Sequence, residues 1–202
     1  MAIMFAVINV LLLEVGGHTA VAAVTASFQI IMLVNLPLNS FGGALLTVVA
    51  VAYGAKNYQK LMTAYYHSIK LGVLFTLVIV IIIFLFSSQI SYIFSYNSQN
   101  MALKPYISST IRLLSLYVLV SAPTSMAYAV FQGVGKGIYS LIIDFINLLL
   151  LESIFAYIFG LTFGWGVEGI FLGLIFGCLL GSIISYLFIR IFINRVKKKH
   201  MN

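Results

Sequence analysis

Residues 40–60 read SFGGALLTVVAVAYGAKNYQK. The apolar part of this run passes Gly42-Gly43, continues without a charge to Tyr53, and stops at a short basic loop, Gly54-Ala55-Lys56-Asn57-Tyr58. It shows no period-two alternation, so it is not a half-buried strand, and it extends an apolar run that begins at Thr19. An uncharged segment of that length suits the hydrocarbon interior of a bilayer. Lys56 and Lys60 mark the side on which it ends, and the neighbouring apolar segments take their orientation from that loop.

The rest of the chain has the same character. Of its 202 residues, 62% are hydrophobic and 7% charged. No soluble domain of that size covers so much apolar surface, so the composition specifies an integral membrane protein. The apolar runs are too long for strands, which predicts an all-α, polytopic helical bundle rather than a β-barrel. Eleven Lys and Arg against four Asp and Glu give a net charge of +7. These cations fall in loops and in the tail, where they anchor cytoplasmic segments, and nucleic acid is not an expected partner. A single cysteine, Cys178, lies in an apolar run. That excludes a disulfide framework and a cysteine metal site, and Cys178 reads as a small core residue.

Outward from the opening run, about six membrane segments are predicted. Met1 to Leu13 reaches only ~20 Å as a helix, short of the ~30 Å hydrocarbon core. No charged n-region precedes it and no A-x-A site follows, so it is not a signal peptide. It reads as a helix cut short, in a truncated or half-length protein. Thr19 to Tyr53 would rise ~50 Å as a straight helix, and Pro37 and Gly42-Gly43 are the expected kink points. Leu71 to Phe86 returns to the outer side. Ser87 to Thr110 is polar, with Tyr92, Tyr96 and Tyr106 suited to the headgroup level. Ile111 to Val130 crosses inward with a kink expected at Pro123, and Phe131 to Gly137 forms a second cytoplasmic turn. Tyr139 to Phe159 crosses outward, Thr162 to Gly169 turns with Trp165, and Ile170 to Ile189 crosses inward. The i, i+4 series Gly173, Gly177, Gly181 lets a neighbouring helix approach that last span closely. Residues 1–190 then form one transmembrane lobe and residues 191–202 a basic cytoplasmic tail. Both termini are cytoplasmic, and only Lys104 and Arg112 among the cations lie outside.

Several elements resemble a known family. They are Gly16-Gly17 followed by Ala22-Ala23, Gly42-Gly43-Ala44 leading to Tyr53-Gly54-Ala55-Lys56-Asn57-Tyr58, and Tyr106 with Arg112. Phe131-Gln132-Gly133-Val134-Gly135-Lys136 and Gly166-Val167-Glu168-Gly169 complete the set. In order and spacing these are similar to the C-terminal half of the multidrug and toxic compound extrusion (MATE) family. The resemblance implies two six-helix lobes related by an internal repeat, of which this chain supplies the seventh to twelfth helices. It implies alternating-access export of small organic, often cationic solutes across the plasma membrane, coupled to Na⁺ or H⁺ entry, with no other cofactor. A partner lobe follows from it, either an N-terminal half or a second copy. The acid that many relatives carry early in the seventh helix falls at or before Met1, and Glu14 does not match it.

Among the residues themselves, Glu152 stands about thirteen positions into an apolar helix, ~20 Å from its cytoplasmic end. A carboxylate there is costly unless protonated, paired or facing a wet cavity. It reads as a proton or cation relay, or alternatively as a structural tether between helices. Asp144 shares a face with Ser140 and Asn147 at i, i+4, i+7, either toward the pathway or as a solvated helix start. Gln29, Asn35 and Asn39 are amides within one span, suited to a substrate cavity or to interhelical hydrogen bonds. Glu14 and Glu168 border outer turns, and His18 and His67 have no partner ligands. Gly133-Val134-Gly135-Lys136 lacks the spacing of a phosphate loop. No nucleophile–base pair is present, so an enzyme is not expected. The alternatives to efflux are a flippase-type lobe for lipid-linked intermediates and a non-transporting membrane protein.

Overall fold

The computed structural model describes residues 2–94 and 104–201. Its elements are all helical: α1 (Ala2–Gly54), α2 (Tyr58–Phe94), α3 (Lys104–Gly133), α4 (Gly137–Asp144), α5 (Ser153–Tyr157) and α6 (Gly166–Met201). A π-helical segment, Phe145–Glu152, joins α4 to α5, and a second, Ile158–Thr162, continues α5, so that the four form one continuous rod. Five helical runs among the described residues are long and apolar enough to span a bilayer.

The first of these runs contains the first two segments expected from sequence. They meet at Gly17, whose φ of 65° and ψ of −164° lie outside the helical region and are open to glycine alone. Gly17 lies in the stretch between those two segments, and backbone dihedrals stay helical through Pro37 and Gly42-Gly43, the expected kink points. A proline lacks one backbone donor, but a helix interior in a membrane bundle accommodates it. The first part of the polar outer segment is helical. Helix α2 runs on to Phe94, giving 37 residues and roughly 55 Å. The expected Tyr96 anchor lies outside the described residues, while Tyr92 and Tyr106 are exposed.

The two turns at the basic end are built alike. After α1, Asn57 N–H donates to Ala52 O at 2.8 Å and Lys56 N–H to Tyr53 O at 3.0 Å. After α3, Lys136 N–H donates to Phe131 O at 2.8 Å and Gly135 N–H to Gln132 O at 3.0 Å. Both are Schellman closures that satisfy the last carbonyls of a helix. The left-handed position is Gly135 in the second turn and, against preference, Lys56 (φ 56°) in the first. Asn57 then caps α2 by accepting from Lys60 N–H at 2.9 Å.

Helix α3 is the central element and packs against α1, α2 and α6. Ile111, Leu114, Val118, Ala122, Met126 and Val130 on it are all buried. Helix α2 lies at the periphery and exposes Leu71, Leu74, Phe75, Val78, Ile81, Ile82 and Leu85. Helix α6 beds on the rod formed by α4, α5 and the π segments through a glycine stripe. Gly169 faces the Phe159 backbone, Gly173 the Phe155 and Ala156 backbone, Gly177 the Glu152 backbone, and Gly181 the Asn147 side chain. The four-residue spacing seen in the sequence is thus the seam that brings α6 against Glu152 and Asn147 of the rod. Residues 191–201 continue α6 as helix.

Candidate functional site

Glu152 closes the first π-helical segment. Five residues separate it from Asn147, a spacing that would put the two ~140° apart on an α-helix. The wider i→i+5 turn rotates them toward one side. Ser153 Oγ repeats that spacing by donating to Leu148 O at 3.0 Å. Both Asn147 and Glu152 are 2% exposed.

The Tyr117 hydroxyl, from α3, donates to the Glu152 carboxylate at 3.1 Å to Oε2 and 3.3 Å to Oε1. The Cys178 thiol of α6 also interacts with that carboxylate. One step toward the basic end, the Tyr128 hydroxyl lies beside Asp144 and Asn147. Asn147 Nδ2 donates to Ser185 Oγ at 3.2 Å, and Ser185 Oγ donates to Gly181 O at 2.7 Å. Asn147 Oδ1 is buried without a hydrogen-bond partner. Thr124 Oγ1 and Ser182 Oγ share a hydrogen bond of 2.9 Å, and Ser182 Oγ also approaches Val120 O at 2.8 Å. Ser140 Oγ donates to Tyr128 O at 3.4 Å, which turns Ser140 toward α3, while Asp144 on the same face is half-buried.

The structure therefore gathers Glu152, Asp144 and Asn147 into one polar cluster, in which Glu152 and Asn147 are buried and Asp144 half-buried. It does not bring Gln29, Asn35 and Asn39 to it. Asn35 is half-buried and donates to Ile31 O at 3.2 Å, while Gln29 and Asn39 are exposed on the outer face of α1.

A model of the MatE family matches residues 1–158. The chain belongs to the MATE family. Solved MATE structures agree with it closely. A MATE transporter in complex with MaL6 is 32% identical at a TM-score of 0.94, over 98% of this chain and 44% of that one. A MOP superfamily transporter from Pyrococcus furiosus, described as having a binding pocket of reversed polarity, is 32% identical at 0.93 with the same coverage. The outward-facing form of a multidrug resistance MATE transporter is also 32% identical at 0.93, again over 98% and 44%. The chain thus spans less than half the length of these structures. No curated protein sequence matches it.

Within this MATE chain, sequence reasoning found one polar stripe of three. Tyr117, Ser121, Thr124 and Tyr128 stand at i, i+4, i+7 and i+11 on α3, and Cys178, Ser182 and Ser185 at i, i+4 and i+7 on α6. Both spacings mark a single helix face. Their residues are individually unremarked in an apolar span, since hydroxyls satisfy themselves on the preceding turn, as Ser121 does on Val118 O at 2.9 Å. Only the periodicity, summed over each span, carried the signal.

Proposed function

We propose that this chain is one lobe of a multidrug-type efflux transporter, matching the C-terminal half of the family. It moves small organic, often cationic solutes by alternating access, with Na⁺ or H⁺ as the coupling ion. The lobe comprises residues 1–190, sits in the plasma membrane, and works with a second lobe that is either an N-terminal half or another copy. The observation that carries this reading is Glu152, a buried carboxylate in a bilayer span, held by a tyrosine hydroxyl inside a π-helical segment. Intramembrane acids of that kind serve ion pathways by default, and π-bulges gather at functional sites. A proton would reside on Glu152 itself. A sodium ion would draw on Glu152 and on Asn147 Oδ1, the oxygen without a partner.

The test is efflux by this chain co-expressed with a MATE N-terminal half in efflux-deficient cells. Glu152→Gln keeps shape and hydrogen bonding but deletes the titratable proton. Transport should be lost while expression and membrane insertion stay at the wild-type level. Wild-type rates with unchanged pH and Na⁺ dependence would remove Glu152 from the pathway. The tail, residues 191–202, and the turn holding Lys136 are cytoplasmic in this reading, because the cations concentrate there. A Lys136→Cys probe in a Cys178→Ser background should resist an impermeant thiol reagent added outside intact cells. Rapid labelling would reverse the orientation.

A further inference from the structure

At the basic end of the bundle, a groove of about 270 Å³ opens between the first turn of α4 and the last turns of α6. Tyr139, Phe188, Ile191, Phe192, Arg195 and Val196 line it. Its floor is fixed by interlocked rings. Phe131 meets Tyr139 and Phe188 at centroid distances of 5.6 Å and Phe192 at 5.5 Å, and Tyr139 meets both Phe188 and Phe192 at 5.6 Å. Phe131 is completely buried, so the floor is anchored in the core. Arg195 stands in the lining; the exposed Lys197 and Lys198 follow it on α6, and the exposed Lys136 immediately precedes α4. Among the described residues no carboxylate pairs with Arg195.

The groove's height fits one kind of occupant. It lies where the apolar run of α6 gives way to Arg190, Arg195 and Lys197, the depth at which a bilayer changes from acyl chain to headgroup. Apolar walls below a guanidinium match the two ends of a lipid, and a guanidinium engages phosphate oxygens through paired N–H donors. We propose that this groove holds one anionic phospholipid, its phosphate on Arg195 and the first methylenes of an acyl chain against Phe188, Ile191 and Phe192. Juxtamembrane cations attract anionic lipid generally. A groove adds a defined position, so Arg195 and the equally charged Lys198 outside the lining should not be equivalent.

The experiment is native mass spectrometry of the purified full chain released from mixed phosphatidylglycerol and phosphatidylcholine nanodiscs. One phosphatidylglycerol should be retained in preference to phosphatidylcholine. Arg195→Gln should cut that preference about five-fold, the worth of one cation at the membrane surface, while Lys198→Gln leaves most of it. Ile191→Trp fills the groove from an exposed position without removing a charge, and should also lower retention. Equal losses in Arg195→Gln and Lys198→Gln, with none in Ile191→Trp, would reduce the effect to diffuse attraction and overturn the site. Displacement of the lipid by inorganic phosphate at equal concentration would overturn the lipid assignment as well.

Discussion

Two tyrosines show how much a hydroxyl's surroundings decide its worth. The Tyr117 hydroxyl donates to the Glu152 carboxylate, whereas the Tyr65 hydroxyl is fully buried with no partner. A hydrogen bond contributes about 0.5–1.5 kcal/mol net, while a buried hydroxyl without a bond costs about 1–3 kcal/mol in lost hydration. The same substitution should therefore have opposite signs at the two positions. Tyr117→Phe is expected to lower the thermal unfolding midpoint in detergent, and Tyr65→Phe to leave it unchanged or raise it. A drop of equal size in both variants would break this account of the two hydroxyls. Tyr117 was not legible as a site residue because a tyrosine in an apolar span is ordinarily an interfacial or packing residue. Glu152 was legible because a carboxylate in such a span has no ordinary role.

At the scale of elements, the glycine stripe of α6 was visible as a spacing, but its partner was not. Sequence showed that some helix approaches closely; packing shows that it is the rod carrying Asn147 and Glu152, and that Gly169 belongs to the series too. A Cβ at Gly177 would stand 2.7 Å from Glu152 Cα and 2.8 Å from Glu152 N, both rigid backbone atoms. Gly177→Ala should thus force α6 away from the rod and destabilise the protein by about 1–3 kcal/mol. Gly43 provides the contrast, since a Cβ there meets nothing within 4 Å. Gly43→Ala should be neutral or stabilising by up to ~1 kcal/mol, as alanine favours helix. Folded fractions on size-exclusion chromatography after heating would separate the two, and a Gly177→Ala protein as stable as wild type would break the close-packing account. The helix ends were less legible than the glycines. Pro37 sits within helical backbone dihedrals, and it is Gly17, with a positive φ, that interrupts the helix between the first two segments. The π-helical segments, which pack on α6, left no mark that could be read in the sequence.

For the molecule as a whole, the outer faces of α1 and α2 differ in a way that assigns them different neighbours. The exposed side of α2 is uniformly large and apolar, from Leu71 to Leu85, as lipid requires. The exposed side of α1 mixes Met32, Leu33 and Leu36 with Thr25, Gln29, Asn39, Ser40, Gly43, Ala44 and Thr47. Small and polar residues are disfavoured against hydrocarbon and enriched where transmembrane helices meet protein or enclose water. On the proposed two-lobe reading, Gln29 and Asn39, set apart from the Glu152 cluster, would lie on the face toward the second lobe, since alternating access needs two bodies that rock against each other. In a Cys178→Ser background, Asn39→Cys should cross-link to its partner lobe in membranes, and Leu74→Cys should not. A covalent species at twice the chain's mass would identify that lobe as a second copy. Cross-linking only on co-expression of a MATE N-terminal half would identify it as that half, and efflux should then also depend on the half being present. Efflux by a demonstrated monomer, or Leu74→Cys cross-linking as readily as Asn39→Cys, would show that α1 faces lipid as α2 does and that the chain needs no second lobe.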